Sequence, residues 1–405
     1  MSTRPVRFAS AILAIWLLGV LAGCAGPSSV TQGPVFFPPS PSLPRLQYLM
    51  GINSSADVEG AVNTYSLVSF GKEKEKVVRP IIKPYGVTAA GNKVYVADIA
   101  GQVAIMDLAK KKFELLKGDK DFGKLKKPVG VTLDESGFIY VADVGRKEIL
   151  IYDPEGEYLR AVGGELGVTP ADVAVDLDRI YILDNKGAII KALDRVTGAF
   201  ITDLGDKLDA ENRLSLPINF TLGKNGIFHI TNAGSGRVIS LDRDGNFLGA
   251  FGKMGDGFGQ FSRPKGIAVD DKGEIFVVDA GFQNTQIFNE KGRLLMYFGS
   301  NTLPVGGMNL PAGITLSNAD LPFFQQMAEK NFELEQVVFV TNQYGNPKIS
   351  VYGLGKLRGV DYEKEYRRLQ EEREMKAKAA IEKARKAQAA EEKAMEAVQP
   401  EAAKP

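Results

Sequence analysis

A proline recurs six times at nearly constant spacing, at Pro84, Pro128, Pro170, Pro217, Pro264 and Pro311, with intervals of 44, 42, 47, 47 and 47 residues. Each copy opens the same phrase: Pro, any residue, usually Gly, an apolar strand, a turn, a second strand ending in Asp or Asn, then a third strand. A unit this short and this rich in strands cannot cover both faces of its own sheet. A period in this range with several strands per unit is the signature of blades packed around a common axis. The repeat predicts an all-β, six-bladed β-propeller over 45–357, and it overrides the prior of two or three ordinary domains for 405 residues.

Blade two spells the unit most clearly. Pro128-Val129-Gly130 leads into Val131 to Asp134, a turn at Glu135-Ser136-Gly137, then Phe138 to Asp143 and Glu148 to Asp153. Alternating β-branched and aromatic residues between Gly, Asp and Pro turns are hairpin signals. Blade five repeats them from Pro264 to Gly299, and Phe251-Gly252 through Phe261-Ser262-Arg263-Pro264 supplies a connector. This pattern resembles the six-bladed NHL-type propellers over roughly 84–355. It departs from them in the loop after the second-strand Asp, where the family carries an Asn and an Arg and only Arg237 clearly keeps the Arg. The resemblance therefore implies the fold and does not carry over the loop-based functions of other members.

Blade six lacks a fourth strand of its own, whereas Arg45 to Ile52 is an isolated strand-like run upstream of blade one. That run is expected to complete blade six and close the ring, because an open propeller leaves strand edges unpaired. An insertion in blade six, Asp320-Leu321-Pro322 through Phe332, reads as a short helix with Asp as N-cap and Pro in its first turn. Its apolar Phe323, Phe324, Met327 and Phe332 are expected to pack on the blade, with a partner-docking knob as the alternative. From 358 to 398 the composition turns to Glu, Lys, Arg, Gln and Ala, all helix formers. Tyr362, Tyr366 and Leu369 fall on one face and predict docking of the first turns. The rest reads as a solvated charged helix, followed by a tail at 399–405.

The amino terminus carries an address. Arg4 and Arg7 precede an apolar run from Ala9 to Val20, too short for a comfortable membrane span, and then Leu21-Ala22-Gly23-Cys24. This resembles the lipobox of bacterial lipoproteins, with 1–23 as signal peptide and Cys24 as the acylated new terminus. The alternative is an ordinary signal peptide with an incidental cysteine. Ala25 after the Cys implies, by the same resemblance, the outer membrane, with its periplasmic or surface face open. Cys24 is the only cysteine, so lipidation leaves no thiol for disulfides, metal or nucleophilic catalysis. Residues 24–44 are rich in proline and read as an extended tether. The formal charge of +1 becomes about −1 without Arg4 and Arg7, which gives no global attraction to nucleic acid.

His229 is the only histidine, and in repeat register it occupies the slot that Tyr95, Tyr140, Tyr181, Phe276 and Phe339 hold elsewhere. It reads as a packing residue, and a single histidine excludes a three-His zinc site. Asp98, Asp143, Asp184, Asn232, Asp279 and Asn342 end the second strands as a ring. Such residues fix turns through backbone N–H groups more often than they bind cations. The sharper candidates are the two exceptions to Pro-x-Gly. Gly86, Gly130, Gly266 and Gly313 keep it, and Asp172 and Asn219 replace the glycine in adjacent blades. Calcium-dependent lactonase propellers place oxygen ligands at comparable positions, so Asp172 and Asn219 are candidate ligands at the channel mouth. Against Ca²⁺ stands the lack of further oxygen side chains.

The expected function is a lipid-anchored, non-enzymatic scaffold that binds a protein partner in the bacterial envelope, with no cofactor beyond the lipid on Cys24. Analogy with propeller lipoproteins of cytochrome-secreting bacteria adds a place beside extracellular electron transfer. The alternatives are a Ca²⁺-dependent lactonase-like hydrolase and a propeller that binds sugar or cell-wall ligands.

Overall fold

Six antiparallel sheets succeed one another along the chain in a computed structural model that describes residues 33–60 and 77–398. Blade one comprises β3 (Pro84–Ala90), β4 (Lys93–Asp98), β5 (Gln102–Asp107) and β6 (Lys112–Leu115). Blade two comprises β7 (Pro128–Leu133), β8 (Ile139–Asp143), β9 (Glu148–Tyr152) and β10 (Tyr158–Val162). Blade three holds β11 (Pro170–Val175), β12 (Arg179–Asp184), β13 (Ile189–Asp194) and β14 (Phe200–Leu204). Blade four holds β15 (Pro217–Leu222), β16 (Phe228–Asn232), β17 (Arg237–Leu241) and β18 (Phe247–Phe251). Blade five holds β19 (Pro264–Val269), β20 (Ile275–Asp279), β21 (Asn284–Phe288) and β22 (Leu294–Phe298). In each of these the strands lie in sequence order, and every repeated proline opens the innermost strand. Proline is tolerated there because the first residue of a strand can spare its N–H.

Blade six is closed from the amino terminus, as the sequence required. Its sheet runs β1-β2-β25-β24-β23, where β2 (Leu46–Ile52) pairs with β25 (Ile349–Leu357), and β24 (Phe332–Asn342) and β23 (Pro311–Ser317) complete it. The Pro-rich stretch 24–44 is not tether to its end, because Phe36–Phe37 forms β1 and adds a fifth strand. Phe37 is buried, with ring centroids 6.2 Å from Phe298 of blade five and 6.1 Å from Tyr352 of blade six. The closing segment thus spans the seam between the last two blades. Burying a large apolar side chain contributes about 2 kcal/mol, enough to hold a two-residue strand in place.

The helix in the blade-six insertion is shorter than the expected run from Asp320 through Phe332. Helix α2 (Leu321–Gln325) follows α1 (Ser55–Glu59), and it ends seven residues before Phe332, which already belongs to β24. Asp320 sits at φ 52° and caps nothing, because its carboxylate accepts instead from Asn92 at 2.9 Å. Phe324 and Phe332 are buried in the blade core, and Phe323 and Met327 pack against it. Helix α3 (Tyr362–Val398) leaves the propeller after one anchor: the Tyr362 hydroxyl accepts from Leu357 N–H at 2.9 Å and donates to the Pro44 carbonyl at 2.7 Å. Tyr366, expected to dock, is exposed.

Candidate functional site

The innermost strands line the axis and converge where their prolines begin. At this mouth the glycines are demanded by distance. A Cβ on Gly86 would sit 2.5 Å from the Val129 carbonyl oxygen, and one on Gly313 would sit 2.3 Å from the Tyr85 carbonyl oxygen. Neighbouring blades approach too closely for any side chain. Blades three and four differ, and there the structure brings Asp172 and Asn219 together.

Asn219 donates its side-chain N–H to Asp172 Oδ2 at 2.5 Å. Asp172 Oδ1 accepts from Val173 N–H at 2.9 Å, and Oδ2 also takes a long bond from Phe220 N–H at 3.5 Å. Asn219 Oδ1 in turn accepts from Ile267 N–H at 3.1 Å, which carries the chain of bonds into blade five. Burial pushes the Asp172 carboxyl up to about 7, against the lowering effect of the Val173 and Phe220 N–H groups. Both residues border a channel cavity of about 160 Å³ that Thr88, Thr132 and Thr315 also line.

Two further groups at this mouth, Tyr85 and Lys265, were not singled out from the sequence. Lys265 Nζ donates to Gln343 Oε1 at 3.1 Å and stands 5.2 Å from the centroid of the Tyr85 ring. Burial, then Arg263 and Lys83, pushes its ammonium down to about 8. Burial, then the Asp172 charge, raises the Tyr85 hydroxyl. Tyr85, Lys265 and Asp172 thus form one partly desolvated group. Tyr85 and Lys265 stand at the variable position of Pro-x-Gly, which was the signal that could have found them.

The polar ring at the second-strand ends is spent on backbone. Asp143 accepts from Lys126 N–H at 2.7 Å, Lys127 N–H at 3.0 Å and Arg146 N–H at 2.9 Å. Asp98 takes Ile82, Lys83 and Ala100 N–H groups in the same way. Asp279 takes Ser262, Arg263, Gly281 and Phe282, and Asp184 takes Thr169 and Lys186. Asn232 Oδ1 accepts from Ser215 N–H, and Asn342 Oδ1 from Asn309 N–H. Each side chain staples its blade to the connector that enters it. Arg146 adds a second staple in blade two, donating to the Phe122 and Lys124 carbonyls, as Arg237 does to Glu211 in blade four.

The oxygens of Asp172 and Asn219 already have donors, and Ca²⁺ takes six to eight oxygens. As arranged, the pair does not fit that ion, and among the described residues no group of three or more His, Cys, Asp and Glu converges. His229 lies on β16 opposite Thr221 of the innermost strand, with its Nδ1 2.9 Å from Ser240 Oγ. Burial pushes its imidazole down to about 4, so it is neutral at physiological pH. Cys24 lies outside the described residues, and no helix among the described residues is long and apolar enough to cross a membrane.

No family model matches the chain. It is similar to the E3 ubiquitin-protein ligase TRIM71 of Mus musculus, 28% identical over 146 residues, which are 36% of this chain and 15% of that protein. The match thus spans about a seventh of that relative. Among solved structures it is similar to XC5397, a gluconolactonase from Xanthomonas campestris, with TM-score 0.50 and 15% identity over 80% of this chain and 98% of that one. A protein of unknown function from Bacteroides thetaiotaomicron gives TM-score 0.51 and 16% identity, covering 76% and 75% of the two chains. At such identity these likenesses show the propeller fold.

Proposed function

We propose that the chain is a non-enzymatic, NHL-type propeller scaffold, held to a bacterial envelope membrane by a lipid on Cys24 and binding a protein partner through its rim. The rim carries the reading. The outermost strands of four successive blades expose Leu159, then Phe200 and Ile201, then Phe247 and Leu248, then Leu295 and Tyr297. Phe258, 83% exposed, stacks on Tyr297 with centroids 6.0 Å apart and extends the apolar surface onto the connector. Outer strands also present unpaired N–H and C=O groups, so apolar side chains repeated along them suit contact with another chain. Helix α3, with side chains exposed along most of its described length, adds a charged arm of about 55 Å.

The non-catalytic part is supported by how the channel spends its polar groups. Asp172, Asn219 and the strand-end ring are engaged in bonds that hold blades together, which suits a rigid platform. The test is recovery of a stoichiometric partner from detergent-solubilised envelopes with the parent protein and with Phe247→Asp/Leu295→Asp. Loss of the partner in a variant that still folds supports the rim. Calcium-dependent ester or lactone turnover by the parent would replace this reading with the hydrolase.

A further inference from the structure

The seam between blades four and five holds a cleft of about 420 Å³, lined by apolar Ile227, Leu248, Phe251 and Val269, with His229 and Ser240 at its floor. Repeat register explains why it exists. The structure pairs Tyr140 with Ile151 and Ile151 with Arg160 in blade two. The same row reads Tyr95, Ile105, Glu114 in blade one and Phe276, Ile287, Met296 in blade five. Blade three keeps the ring but is small beside it, with Tyr181, Ala192, Thr202, and blade four reads His229, Ser240, Gly249. Three consecutive positions shrink together, and a Cβ on Gly249 would meet nothing within 4 Å. Elsewhere an aromatic ring fills this part of the seam: Tyr181, for example, packs against Phe228 with centroids 4.9 Å apart.

The floor is polar and incompletely paired. His229 is 8% exposed, and its Nδ1 is shared with Ser240 Oγ, while Nε2 has no hydrogen-bond partner among the described residues. Nε2 is open to the cleft, where a ligand or water can meet it. The Ser240 hydroxyl can donate to Nδ1 or accept from it, so Nε2 presents a donor in one tautomer and an acceptor in the other. The occupant that restores the missing ring and satisfies either tautomer is flat, apolar and carries a group that both donates and accepts.

We infer that this cleft is a binding site for a neutral hydroxylated aromatic, a phenol-type small molecule, with its ring between Leu248, Phe251 and Val269 and its hydroxyl on His229 Nε2. The volume lies within the range of small-molecule pockets. The site shares Leu248 with the rim but none of its lining with the channel, and its test reads the His229 signals rather than a protein partner.

Because His229 is the only histidine, its imidazole signals in ¹⁵N-labelled protein report this site without assignment ambiguity. The probe is p-cresol, with toluene as the analogue that lacks the hydroxyl. The expected result is a saturable shift of the His229 signals by p-cresol, at least tenfold weaker affinity in Gly249→Met, and several-fold weaker affinity for toluene. Thermal unfolding of Gly249→Met at or above the parent value shows that the seam is filled and the fold kept. If that variant fails to fold, Ser240→Ile, the residue found in blades one, two and five, takes its place. No saturable shift up to millimolar p-cresol, or an undiminished one in the filled variant, overturns the site.

Discussion

Asn219 reaches across from blade four to the Asp172 carboxylate of blade three, 2.5 Å between heavy atoms, at the one place on the ring where two adjacent blades lack the glycine. The bond replaces direct backbone approach with a side-chain clasp, and its own neighbour shows how tight the fit is. A Cβ on Gly130 of blade two would lie 2.3 Å from Asp172 Oδ1.

Gly130→Ala should therefore destabilise the propeller by about 2–3 kcal/mol, within the range for overpacking a tight site. Much of that loss should return in Gly130→Ala/Asp172→Gly, because the nearest clash is with a side-chain oxygen. Gly313→Ala should admit no such rescue, since its clash is with the Tyr85 carbonyl oxygen of the backbone. Urea unfolding of the three variants checks this.

Acid dependence should separate two buried groups of opposite sign. Asp172 is held near 7 in the fold, above the ordinary carboxylate value, so it favours the native state below about pH 4 and loses that contribution as pH rises to 7. His229 is held near 4, below the ordinary imidazole value, so its contribution is present above about pH 6.5 and is lost as pH falls to 4. Each amounts to a few kcal/mol at most. Relative to the parent, Asp172→Asn should gain stability between pH 4 and 7, and His229→Phe should gain it in the opposite direction, from pH 6.5 down to 4. Parallel profiles for all three proteins would remove both assignments.

The closing segment should be as necessary as the blades it joins. Phe37→Ala removes a buried ring that touches Phe298 and Tyr352. Core truncations of this kind cost about 3–5 kcal/mol. Calorimetry should show one cooperative transition at lower temperature. Loss of only a local, non-cooperative signal would mean that β1 frays independently.

The six blades and their closure could be read from the chain because each copy of the repeat uses period-two alternation between fixed turn residues, and because blade six visibly lacked a partner strand. Phe36–Phe37 could not, since a two-residue strand in a run of three between Pro34 and Pro38 carries no period. Helix α2 was overestimated because Asp320 and Pro322 mark a helix start but nothing in the sequence marks its stop, and Phe332 is claimed by the longer ladder of β24. Asp172 and Asn219 stood out because they break a glycine rule, whereas Tyr85 and Lys265 occupy a position the repeat leaves free. The cleft was hidden for a different reason: His229 in an aromatic slot looks like conservative packing until Ser240 and Gly249 are seen to shrink beside it. Strand register, available only in the structure, places those three in one row.

The most direct test of the rim as a docking surface is the mass of the complex recovered from solubilised envelopes, measured by light scattering, for the parent and for Phe247→Asp/Leu295→Asp with equal melting temperatures. A defined heteromeric complex with the parent, reduced to the mass of the free propeller in the variant, is the expected result. A parent protein that is recovered alone, or a complex whose mass is unchanged by the two aspartates, would contradict it.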